Sequence, residues 1–158
     1  VFELYNASLD YLTQIQQKDR IFSSRIVVGS STYDDNFIID YEFDSLLFSG
    51  DDFTIGSAIC NKLNLKLLTS DSIIGVIELY NGLLVNGVIE EVPIGKFNID
   101  TLTNKNGVCT IVAYDNMIKF NKGYFSDLSY PATIQNVANE ICSKVGITFS
   151  SVLDNISI

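Results

Sequence analysis

A mainly β fold with attached helices is predicted for this chain, and three observations predict it. Apolar and polar residues alternate at period two through most of the segment from Arg20 to Tyr114. Tight-turn dipeptides, Asn86-Gly87 and Asn106-Gly107 among them, punctuate that segment. Helical spacing is confined to the two ends. The expected architecture is an antiparallel β-barrel or sandwich with an N-terminal and a C-terminal helix.

The elements follow in order. Tyr5, Leu9, Leu12 and Ile15 are spaced by four, three and three, which predicts a first helix with one apolar stripe, while Ala7, Ser8, Asp10 and Gln14 fill its other faces. That helix is read either as docked on its own domain or as an arm for a neighbouring subunit. The β-branched run Arg20 to Val28 stops at Gly29 and reads as a strand. In the next run Phe37, Ile39, Tyr41 and Phe43 alternate with Ile38, Asp40, Glu42 and Asp44, as in a half-buried antiparallel strand. Phe53, Ile55, Ile59, Leu63, Leu65 and Leu67 share one parity, with a bend expected near Gly56.

Ile73 to Leu84 and Val88 to Ile99 form a pair of strands around Asn86-Gly87, with Asn81-Gly82 as a second candidate turn. Pro93 lacks a ladder donor and predicts an edge or a break there. Val108 to Tyr114 is apolar on both faces and should be central. Asp115 is positioned to cap a short helical turn. Ile134, Val137, Ala138, Ile141 and Val145, closed by Gly146, define a final amphipathic helix.

Composition excludes several function classes. The chain has 158 residues, of which 47% are apolar and 18% charged, enough for a core and too few charges for disorder. A net charge of −9 lacks the cationic surplus that nucleic-acid binding requires. No window approaches the apolar length that spans a bilayer, and Val1 to Tyr11 has no basic leader, so neither membrane insertion nor a signal peptide is expected. There is no histidine, and Cys60, Cys109 and Cys142 form no CxxC pair. Zinc sites, serine triads and Cys-His dyads are therefore not expected, nor is any cofactor. The cysteines read as buried thiols. Glu90 and Glu91 are adjacent on a strand and should face opposite ways, so they do not make an acid/base pair.

The acidic run is the feature most worth placing. Between Arg25 and Lys62 there is no Lys or Arg, while Asp34, Asp35, Asp40, Glu42, Asp44, Asp51 and Asp52 are all acidic. Three readings are open: a solvated face, a channel lining that repels passing DNA, and a calcium site. The ligand spacing of a calcium loop, with its turn glycine and terminal Glu, is absent.

The order of three segments resembles a family. Ile77 to Gly87, with Glu78-Leu79-Tyr80-Asn81-Gly82 within it, runs into Val92-Pro93-Ile94-Gly95-Lys96-Phe97-Asn98-Ile99-Asp100, and then comes Val112-Ala113-Tyr114-Asp115-Asn116-Met117-Ile118-Lys119-Phe120. With Asp52 to Ala58 entering Leu63-Asn64-Leu65, and the helix from Ala132 to Val145, this series resembles minor tail proteins of Firmicutes siphophages and prophages, of the baseplate-hub and tail-associated endopeptidase-like class. The resemblance covers roughly residues 18 to 147. Beyond the helical arm (1–18) read from its own spacing, it implies a tail-tube-like β-barrel (19–128) and a helix that starts a second hub domain (129–158). It further implies a virion structural protein without enzymatic activity of its own, any lytic activity belonging to a downstream domain. Its expected partners are copies of itself, as a trimer of the intact protein, and neighbouring tail proteins. Its place would be the virion tail, after synthesis in the host cytoplasm, with DNA passing through the assembly. The alternative is a receptor- or glycan-binding β-sandwich of a tail-tip protein.

Overall fold

The computed structural model describes residues 7–45 and 60–149. The chain divides into two compact units, with the boundary between Met117 and Ile118. The larger unit is mainly β. Its elements are α1 (Leu9–Gln14), β1 (Phe22–Val28), β2 (Ser31–Tyr33), β3 (Ile38–Asp44), β4 (Lys62–Leu68), β5 (Val76–Val85), β6 (Val88–Lys105) and β7 (Val108–Tyr114), and a 3-10 helix, Asn116–Phe120, follows. The seven strands form one antiparallel sheet in the order β2-β1-β5-β6-β7-β4-β3.

Alternation decides what is buried. Ile26 and Val28 of β1, Leu63, Leu65 and Leu67 of β4, Ile77 and Leu79 of β5, and Cys109, Ile111 and Ala113 of β7 all face one core with Phe97. The sheet rolls around that core, so its two ends approach each other. Ser24 Oγ of β1 donates to Tyr41 Oη of β3 at 3.2 Å, and Phe43 of β3 meets the Phe97 ring of β6 edge-on at 5.6 Å. Gly95 makes the Phe97 placement possible, because a Cβ there would sit 3.0 Å from the ring.

Positive φ at Asn86 (50°) and Gly87 (83°) gives the β5–β6 hairpin its expected turn, and Asn106 (54°) and Gly107 (78°) do the same for β6–β7. Asn81-Gly82 is not a turn. It lies inside β5, where a Cβ on Gly82 would meet Ser23 Oγ at 2.5 Å and Ile89 Cγ2 at 2.6 Å. Pro93 sits beside a bulge: the register slips between Leu79 and Tyr80, leaving Ile94 without a partner on β5. β7 pairs with β6 only from Asn98 onward, so among the described strands Pro93 has β5 alone as its neighbour. β7 itself is central, between β6 and β4.

The first helix departs from expectation. The stripe through Leu9 and Leu12 points outward, Leu9 being 78% exposed. Tyr11 is buried instead and packs with Ala7 and Ile15 on Leu83, Val85 and Val92. Leu83 and Val85 share the parity of Ile77 and Leu79, so α1 covers the inner face of β5 beyond the main core. Polar anchors hold it there: Ser8 donates through N (2.8 Å) and Oγ (2.6 Å) to Glu90, and Asn86 Nδ2 donates to Asp10 at 2.9 Å. These bonds fix the helix rotation, which a six-residue periodicity cannot do by itself.

In the smaller unit α2 (Ile134–Lys144) starts at Thr133, whose hydroxyl accepts from Asn136 N, and ends before Gly146 at φ 70°. Among the described residues no helix is long and apolar enough to cross a membrane.

Candidate functional site

The acidic run splits into two jobs. Asp34 and Asp35 lie in the β2–β3 turn. Asp34 Oδ1 accepts from Asn36 N at 3.0 Å, and Asp35 Oδ1 accepts from Ser24 N at 2.8 Å, which ties the turn to β1. Asp40, Glu42 and Asp44 lie on the outward face of β3, because Tyr41 and Phe43 take the inward one. Their cross-strand partners on β4 are Lys66, Asn64 and Lys62. Lys66 Nζ stands 3.8 Å from Asp40, and Asn64 Nδ2 donates to Glu42 at 3.3 Å. A shallow depression of about 150 Å³ lies over this stripe, lined by Asp40, Glu42, Asn64, Lys66 and Thr110. Asp51 and Asp52 lie outside the described residues. Among the described residues, no three Asp, Glu or Cys side chains converge as metal ligands would.

A second constellation lies on the outer face of β1, β5 and β6. Arg25 donates to both oxygens of Glu91, at 2.7 and 2.5 Å, and its guanidinium lies 4.2 Å over the Tyr80 ring. Tyr80 Oη donates to Glu78 at 2.7 Å, and Lys96 Nζ reaches the other Glu78 oxygen at 2.5 Å. The Arg25 bond holds the Glu91 carboxyl below its usual range, and the Lys96 bond does the same for Glu78. The side chains of Arg25, Glu91 and Glu78 are about one-third exposed, so the ladder contributes modestly to stability. Its role is register: each contact is satisfied at one strand alignment. Glu90 and Glu91 are thus committed to different partners on opposite faces, Ser8 within and Arg25 without.

The third constellation is in the smaller unit. The Glu140 carboxylate of α2 accepts from Tyr124 Oη (2.5 Å), Asp127 N (2.6 Å) and Ser126 Oγ (2.8 Å). These bonds, the Tyr124 hydroxyl foremost, pull its carboxyl down to about 2. Lys144 Nζ donates to the Phe125 carbonyl and to Asp127 Oδ2 at 2.7 Å. The loop 124–127 is therefore stapled to the helix. Spacing alone exposes the Glu140–Lys144 pair, whereas the loop partners are invisible without the fold.

Of the three thiols expected to be buried, Cys109 and Cys142 are, and Cys60 is half-buried. Burial pushes the Cys109 thiol up, and burial with the Asp115 charge does so for Cys60. Compared with known proteins, the chain matches no protein-family model and no curated sequence.

Proposed function

We propose that this chain is a structural module of a phage or prophage tail tip, part of a baseplate hub that continues the tail tube. The reading rests on the resemblance of its central segments to siphophage minor tail proteins. One structural observation supports it most. Apolar side chains stand exposed at both ends of the ten-residue strand β5, roughly 30 Å apart. Ile74 (78% exposed) precedes it and Val76 opens it, and Leu9 and Val88 (70% exposed) flank the hairpin beyond it. A subunit stacked between neighbours buries such ends, whereas a free-standing domain leaves them in water. In this reading the partners are copies of the chain, as a trimer of the intact protein, and adjoining tail proteins, and no residue is assigned catalysis. The outward carboxylates of β3 would face solvent or a lumen, where like charge discourages DNA from adhering.

An antiserum raised against the chain tests this on phage particles induced from the source strain. Gold label at the tail tip, with the protein detected in purified particles, is the expected result. Protein confined to cells and absent from the particles overturns the reading.

A further inference from the structure

The first helix is held against its own apolar stripe. At about 100° per residue, Leu9 and Leu12 share one side of α1, and Tyr11 lies about a third of a turn away. Tyr11 is buried, yet Leu9 and Leu12 are 78% and 49% exposed. Ile15 stands between the two sides and packs with Tyr11 on Leu83, Val85 and Val92. A turn of the helix about Ile15 would put both leucines on that groove and Tyr11 in water. Two leucines bury more apolar surface than one phenol ring, so the hydrophobic effect does not select the position seen.

Glu90 selects it. The carboxylate accepts from Ser8 N at 2.8 Å and from Ser8 Oγ at 2.6 Å, while Ser8 Oγ accepts from Tyr11 N at 3.0 Å. This is a capping box whose acid comes from β6, because the third helical residue, which usually supplies it, is Tyr11. An acid that belongs to the sheet fixes the rotation of the helix as well as its start. The other charges nearby are engaged elsewhere. On α1, Asp10 is held by Asn86, and past the helix Arg20 donates to the Ile15 carbonyl. On β5 the residue opposite Glu90 is Leu83, and on β6 Glu91 turns to the other face and binds Arg25.

We propose that α1 is a strap with two positions: ionised Glu90 holds Tyr11 on the groove, and loss of that charge lets the helix turn about Ile15 so that Leu9 and Leu12 replace it. The Ser8 hydroxyl foremost, and then its amide, hold the Glu90 carboxyl below its usual range. The position seen is therefore fully favoured above that range and is lost as pH falls through the lowered value. The apolar patch at Leu9 and Leu12 is displayed while Glu90 is charged and withdrawn when it is not. The inference does not depend on the tail-tip reading.

Nuclear Overhauser contacts in the full isotope-labelled chain, followed from about pH 7 to about pH 3, test it. Contacts from the Tyr11 ring to the Val85 and Val92 methyls should fade in step with the Glu90 carboxyl titration. Contacts from Leu9 and Leu12 to the same methyls should replace them, while the cross-strand contacts of β4 and β7 persist. Glu90→Ala should show the leucine contacts already at neutral pH, which keeps the test clear of acid unfolding, and Glu90→Gln should remove the pH dependence. Tyr11 contacts that survive in Glu90→Ala overturn the proposal. So does their loss without the leucine contacts, which marks a helix that melts rather than turns. Asp10→Asn should titrate as the original does, and if it abolishes the transition the latch is Asp10 and the proposal fails.

Discussion

Around Phe97 the roll buries Leu63, Leu65, Ile77, Leu79 and Ile111 almost completely, with no charged or polar residue among the buried side chains of its described residues. Around Glu140 the smaller unit instead gathers a carboxylate, two hydroxyls, a backbone amide and an ammonium, and of its described residues Ala132 and Cys142 are the buried apolar ones. One region is ordered by area removed from water, which is indifferent to protonation. The other is ordered by charge-assisted hydrogen bonds, which are directional and sensitive to pH and salt. Small segments with little core depend on such staples to fix their loops, and the cost is a narrower range of conditions.

That contrast can be broken most forcefully at Phe97. Phe97→Ala removes the ring that meets Phe43 and should cost about 3–5 kcal/mol in urea unfolding of the roll. A loss under about 1 kcal/mol would mean the roll is not organised around that ring. Gly82→Ala tests packing from the other face. With Ser23 Oγ and Ile89 Cγ2 both inside 3 Å of the new methyl, a destabilisation of about 1–3 kcal/mol is expected in the same assay. A neutral result would show that β1 and β6 yield there without resistance.

The smallest effect, and the most specific, concerns Glu140. Its folded-state value, about 2, lies below the ordinary carboxylate value of 4.5, so its contribution is complete above pH 4.5 and is lost as pH falls towards 2. The Tyr124 ring resonances and the amide protection of α2 should therefore change between pH 5 and 2. Glu140→Gln should flatten that dependence. An unchanged acid profile in the variant would assign the transition to another group.

Much of the roll was legible before any coordinates. The two Asn-Gly turns, the central Val108 to Tyr114 strand and the final amphipathic helix each rest on local rules, and the structure bears them out. The alternation expected from Phe37 to Asp44 holds only from Asp40 onward: a bulge between Ile38 and Asp40 shifts the phase, so Ile38 packs on the core while Phe37 and Ile39 are exposed. Asp115 also behaves as expected, accepting from Met117 N at 2.9 Å. What failed were decisions made over long range. The rotation of α1 is set by Glu90, eighty-two residues from Ser8, so Leu9 and Leu12 face out despite their spacing. β6 runs to Lys105, six residues past its expected end, because the bulge at Asp100 lets it keep pairing with β7. The short strand β2 (Ser31–Tyr33) has too few residues to show a period. The site fared similarly: the acids of β3 were visible as a stripe, but their division between turn-fixing and outward duty depended on Ser24 and β4.

The Asn86–Asp10 hydrogen bond carries a chemical liability. Asn followed by Gly is the sequence most prone to lose its side-chain ammonia through a cyclic imide, since glycine leaves the attacking amide unshielded. Conversion of Asn86 to a carboxylate would set two negative groups at 2.9 Å where a donor once stood, and repulsion would replace the tie between hairpin and α1. Deamidation at Asn86 would thus act as an ageing clock on the tie between hairpin and α1. A one-dalton mass gain in peptides spanning Asn86, accumulating with storage while α1 loosens, would be its signature.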